Sequence, residues 1–142
     1  MVNLKSGIIL TAIASVAFAQ SIDIGSPANG SFVSRGSSLT VEVDRPESLT
    51  GSSEVGIIIG LRPCNPDCSP TDIDDDLGLV LYGGPYNPQF SNVTDHKPPH
   101  QNFTFTVPAS FDGTAVLSVF HVAVVAAANA LVELKNVTLN IQ

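Results

Sequence analysis

Hydrophobic and polar residues alternate along most of the chain beyond residue 20. In SLTVEVD, Leu39, Val41 and Val43 share one face. In QNFTFTVP, Phe103, Phe105 and Val107 oppose Asn102, Thr104 and Thr106. A period of two with one apolar side predicts strands that bury one face. EVGIIIGL, Glu54 to Leu61, is almost wholly apolar and predicts a strand covered on both sides. SIDIG, LGLVLY, GTAVLSVFHVAVV and LVELKNVTLNI complete the set, the last placing Val137, Leu139 and Ile141 together. About seven strands separated by turn-rich segments such as SPANGS predict an all-β fold, an immunoglobulin-like or fibronectin-type antiparallel β-sandwich. The alanines of VAVVAAANAL suit a helix, but Phe120 and the valines before them favour a strand running into a small-residue turn.

The first nineteen residues follow a different pattern. Lys5 precedes an apolar stretch from Gly7 to Val16, and Ala17, Phe18 and Ala19 form an Ala-x-Ala site before Gln20. That layout predicts a secretory signal peptide over 1–19 and one mature domain over 20–142. The longest later apolar run, 115–128, is interrupted by Ser118 and His121 and falls short of the roughly 20 residues a membrane helix needs. No integral membrane segment is therefore expected in the mature chain. Six Lys and Arg stand against 13 Asp and Glu, a formal charge of -7, so nucleic acid is not an expected partner.

Export makes a disulfide between Cys64 and Cys68, the only cysteines, the expected state. Four sequons, at Asn29, Asn92, Asn102 and Asn136, predict glycosylation, and the strand alternation turns Asn102 and Asn136 toward solvent. Catalytic patterns are missing from the sequence. His96 and His100 flank KPP, and His121 lies in an apolar strand, where a core histidine satisfied by a neighbour is the expected reading. Asp72, Asp74 and Asp76 match the start of an EF-hand loop, but Leu77 replaces its glycine and Gly83 its glutamate, leaving a solvated acidic loop over 67–76. No nucleophile elbow or phosphate loop exists, so neither enzyme activity, nor a cofactor, nor a metal is expected.

Both tyrosines fall in LYGGPYNPQF, among glycines and prolines that place them in or beside a turn. Tyr82, Tyr86, Asn87 and Pro88 are the candidate partner-binding residues, the tyrosines either anchoring a partner or locking the turn that shapes its surface.

The segments SPANGS, VGIIIGLRPC, LGLVLYGGPYNPQF, KPPHQNFTFTVP, LSVFHVAVV and NVTLNI, in that order after a signal peptide, resemble the necrosis-inducing secreted protein family of small fungal effectors. NPDCSPTDIDDD departs from the family pattern in being longer and more acidic. The resemblance implies a non-enzymatic effector that suppresses plant pattern-triggered immunity by binding kinases. Its implied partners are the shared co-receptor kinase of pattern receptors and the receptor-like cytoplasmic kinase below it. It implies secretion into the host apoplast, with the host plasma membrane or cytoplasm as the further destination that kinase binding demands. The competing readings are an extracellular cell-wall or glycan-binding module and a structural matrix protein.

Overall fold

A computed structural model describes residues 21–47, 51–64, 68, 76–92, 94, 96–126 and 128–142. The expected signal peptide and most of the acidic loop, including Asp72 and Asp74, lie outside the described residues. Eight strands form: β1 Asp23–Ser26, β2 Ser31–Val33, β3 Ser38–Asp44, β4 Ser52–Pro63, β5 Leu79–Gly84, β6 His100–Thr106, β7 Gly113–Val125 and β8 Asn129–Ile141. They make a three-stranded sheet, β1-β3-β6, and a five-stranded sheet, β2-β8-β7-β4-β5. The expected sandwich is thus the fold, and β3 and β7 run over the segments expected of them.

The strand beyond the expected seven is β2, inside a stretch that reads as turn. It is only three residues long, and it pairs with β8 in parallel, Ser31 opposite Leu139 and Val33 opposite Ile141. Gly30, at φ 82°, makes the turn that carries the chain from one sheet to the other. The Gly30 N–H donates to the Thr138 carbonyl (2.7 Å), and Asn29 Oδ1 accepts from the Thr138 N–H (2.8 Å). So short a strand carries too few side chains for any period to show.

Inward-facing residues of both sheets meet in one core. Leu39, Val41 and Val43 of β3 and Phe103 of β6 pack against Ile57, Ile59 and Leu61 of β4, Leu117 and Val119 of β7, and Leu139 and Ile141 of β8. Burying each such side chain favours folding by roughly 1.5–3 kcal/mol. β7 lies between β4 and β8, and Val116 and Ser118 are buried on its outer side as well. The alanine-rich stretch after it forms the β7–β8 hairpin turn, where Ala126 has φ 50°.

One irregularity in β4 redirects a side chain. From Pro63 to Gly56 each residue pairs in regular register with β7, ending at Gly56 opposite Val122, but Glu54 lies opposite Ala123. Val55 is the extra residue of a β-bulge. Unbroken alternation would put Glu54 on the solvent face with Gly56 and Ile58; the bulge turns it inward.

Cys64 and Cys68 are bonded in the connection from β4 to β5, with Cα atoms 4.8 Å apart. The Cys64 N–H also donates to the Thr114 carbonyl at 2.9 Å, tying the start of this connection to β7. A ring this short removes little chain entropy. Replacing both cysteines by serine is expected to lower stability by no more than about 2 kcal/mol and to leave both sheets intact. Urea unfolding of the double variant checks this, and loss of the cooperative transition would contradict it.

Candidate functional site

Gly84, the last residue of β5, pairs with Ile57, and its carbonyl lies 2.8 Å from where a Cβ on Gly56 would sit, so a side chain there would force the strands apart. Tyr82 points inward, half-buried, with its ring 4.7 Å from that of Phe103 and its hydroxyl donating to the Pro85 carbonyl (2.7 Å). Tyr86 enters the core with 4 % of its surface exposed. Its hydroxyl donates to the Val43 carbonyl (3.0 Å), joining the turn to the opposite sheet. This corrects one expectation: a side chain this enclosed cannot be gripped by a partner, and Tyr86 locks the turn. Asn87 and Pro88 follow it to the surface. The Asn87 N–H donates to Gln101 Oε1 (2.7 Å), which fixes the turn against β6, while the Asn87 side chain stays exposed.

Asn87 and Pro88 form one wall of a cleft of about 340 Å³ at the end of the sandwich, and Pro46, Glu47 and Gly51 form the other. A neighbouring hollow of about 510 Å³ shares Pro46 and Glu47 and adds Phe90, Lys97 and Pro98. Phe90 is 61 % exposed. The walls include Pro46, Pro88 and Pro98, whose fixed φ limits the entropy such a surface loses on binding.

Arg45, Ser52 and Glu54 make the cleft floor, and beneath them lies a buried charge cluster. His121, on the inner face of β7, has no solvent exposure. Its Nε2 faces Glu54 Oε2 in a very short contact, and its Nδ1 lies 2.8 Å from Glu133 Oε1. Glu133 is the direct cross-strand partner of His121 on β8. Arg45 Nε donates to Glu54 Oε1 (2.9 Å), Arg45 Nη2 to Ser52 Oγ (2.7 Å), and Ser52 Oγ to Glu54 Oε1 (3.1 Å). The Arg45 N–H donates to the Pro99 carbonyl (2.7 Å), so the floor is also attached to the segment entering β6. On the far side, Glu133 accepts from Ser21 Oγ (2.6 Å) and from the Ile22 N–H (2.9 Å), anchoring the chain just before β1. The Tyr86 ring stands edge-on to the imidazole at 5.5 Å.

This geometry fixes the protonation states. A carboxylate only accepts, so an imidazole between two of them satisfies both only as the doubly protonated cation. Two cations, Arg45 and His121, then balance two anions, Glu54 and Glu133. Burial opposes charge on every member, yet hydrogen bonds from His121 and Arg45 bring the Glu54 carboxyl down to about 2. Against the same burial cost, His121 and then Ser21 lower Glu133, and the two carboxylates raise His121. Burial and the nearby Glu54 charge push the Tyr86 phenol well up, so it stays a hydrogen-bond donor.

The expected fate of His121, a core histidine with a neighbouring partner, is what the structure shows, but its partners escaped the sequence. Counting back by twos from Val137 and Leu139 does put Glu133 on the inner face, a signal that was available. Glu54 gave no such signal, because only the bulge brings it inside. All four sequon asparagines are exposed, and Asn102 and Asn136 lie on outward faces as the alternation requires. Among the described residues, no group of three or more His, Cys, Asp and Glu is arranged to hold a metal ion. No helix among them is long and apolar enough to cross a membrane.

Fold and site together define a small immunoglobulin-like β-sandwich with a loop-built cleft over a buried charge cluster. The Nis1 family model matches residues 17–142, and the chain belongs to that family, one of fungal effector type. No curated protein matches it. Among solved structures, a superoxide reductase (neelaredoxin) from Ignicoccus hospitalis is similar with a TM-score of 0.52 and 12% identity, over 87% of this chain and 81% of that one. At that identity the likeness is one of fold alone.

Two substitutions separate the roles. His121→Ala leaves two buried carboxylates facing each other without their shared cation and is expected to cost about 3–5 kcal/mol. Tyr86→Phe keeps the ring but strands the Val43 carbonyl, at a cost of about 1–3 kcal/mol. Chemical denaturation of each variant measures both, and a neutral His121→Ala would show that the cluster holds nothing together.

Proposed function

We propose that this chain is a secreted fungal effector that suppresses plant pattern-triggered immunity by binding and inhibiting receptor-associated kinases, with host necrosis as a further outcome. The family match across the mature chain carries the effector part of this reading. The kinase part rests on the likeness of the chain's segments to necrosis-inducing secreted proteins, and the cleft at the end of the sandwich is its proposed place. Asn87 and Pro88 offer the contact surface there, while Tyr82 and Tyr86 hold it in shape. The partners are the co-receptor kinase of pattern receptors and the receptor-like cytoplasmic kinase beneath it. Binding them requires the protein to pass from the apoplast to the cytoplasmic side of the host membrane.

One observation favours a second reading, a wall- or glycan-binding module. A groove of about 460 Å³ beside β2 is lined by uncharged residues, including Ser26, Ser31, Ser34 and Ser38, and by Phe32, which is 73 % exposed. Hydroxyls beside an apolar ring suit a neutral sugar. Retention on washed cell walls that is lost in Phe32→Ala would support this reading.

Calorimetry with a purified co-receptor kinase domain tests the first. The parent protein is expected to bind, and Asn87→Ala with Pro88→Ala to weaken binding by roughly 1–2 kcal/mol with an unchanged melting temperature. An unaffected affinity would remove the cleft from the interface, and absence of binding by the parent would overturn the kinase reading.

A further inference from the structure

The His121 cluster joins three parts of the molecule that are distant in sequence. Through Glu54 it supports Arg45 and Ser52 in the cleft floor. Through Glu133 it holds Ser21 and Ile22 at the entry to β1. Against its ring stands Tyr86, one residue before Asn87 in the cleft wall. All three connections depend on a single group, an imidazole whose charge is lost when pH is raised far enough.

We propose that the proton on His121 gates the cleft: protonated, the floor and turn are fixed and the cleft holds its partner; deprotonated, they loosen and the partner is released. The gating of a partner rests on the cleft reading above.

A neutral imidazole keeps one N–H, so one of its two carboxylates must face a lone pair inside the protein, where the ring has no solvent exposure. The two carboxylates are not equally prepared for this. Glu54 keeps the Arg45 cation and the Ser52 hydroxyl. Glu133 keeps only neutral donors, Ser21 Oγ and the Ile22 N–H. Losing the proton therefore leaves one uncompensated negative charge, and Glu133 is where it falls. Glu133 gains hydration by moving away from His121, which loosens the imidazole that the Tyr86 ring stands against.

Other charged groups near the cluster do not substitute for the lost cation. Lys135, two residues along β8 from Glu133, lies 3.8 Å from Asp23. Asp44 is anionic and belongs to the opposite side of β3, beside Glu42 and Gly25. Tyr86 remains a neutral donor to Val43.

His121 is raised, so its contribution is complete below the usual histidine range and is lost as pH climbs through its folded value. Glu54 and Glu133 are lowered, so theirs is present above the usual carboxylate range and is lost only in stronger acid. Loosening as pH rises above the usual histidine range thus belongs to His121.

The test combines native-state hydrogen exchange with binding, each from about pH 5 to well above the ordinary histidine range. Protection factors, which remove the intrinsic pH dependence of exchange, are expected to fall together at the Ile22, Ser52, Glu54 and Asn87 amides, while Val119 and Leu139 in the core stay protected. Affinity for the co-receptor kinase domain should fall by up to about tenfold per pH unit above the transition, the limit for one linked proton. Glu133→Gln removes the carboxylate on which the uncompensated charge falls, while its amide oxygen still accepts from the Ile22 N–H. This variant should keep its protection and affinity through the same range. Protection at Ser52 and Asn87 that is flat with pH in the parent overturns the gate, as does an equal fall in a folded Glu133→Gln. Should Glu133→Gln not fold, the parent's exchange profile alone decides. If the kinase domain binds at no pH, the kinase reading fails, and the exchange profile still decides whether the proton controls the cleft.

Discussion

An imidazole enclosed between two carboxylates has one satisfactory state, the cation, and the architecture around the cleft depends on it. His121 reaches that position because it faces inward on β7, the strand at the centre of the larger sheet. Glu133 meets it as a cross-strand partner, and Glu54 meets it because the Val55 bulge reverses the alternation of β4. Arg45 supplies the second cation that makes the cluster neutral. A buried ion cluster of this kind is a costly way to fill a core, since apolar side chains of similar volume commonly serve as well or better. What it adds is connection: four charged groups from β4, β7, β8 and the end of β3 hold one another, and the Tyr86 turn packs against them.

The sandwich was legible because several of its strands follow a period of two, as β3 does, while β7 was legible as a long β-branched apolar run. β2 was not, since three residues in a glycine-containing turn carry no periodic signal, and its parallel pairing depends on β8 more than a hundred positions away. Tyr86 was misread for a related reason. Gly83, Gly84, Pro85 and Pro88 correctly announce a turn, but a turn says nothing about which way a ring in it points. The hydrogen bond to Val43 and the contact with His121 settle that, and both are tertiary. His121 was legible as a core histidine, whereas its partnership with Glu54 was not, because a bulge leaves no mark in an apolar run such as EVGIIIGL.

Cleft and cluster divide the work of a binding site. The exposed part, Asn87, Pro88, Pro46 and Glu47, offers a stiff, proline-rich surface. The buried part gives that surface a fixed floor and a rigid anchor for the turn. The short disulfide acts elsewhere, in the β4–β5 connection, so covalent restraint and charge restraint hold separate loops.

The protonation state of His121 is the central physical claim, and nitrogen-15 NMR of the imidazole reads it directly. At pH 7 the account predicts that both ring nitrogens of His121 carry protons, with chemical shifts of an imidazolium and slow exchange with water. A neutral His121 at that pH, with one ring nitrogen bare and the fold intact, would contradict it.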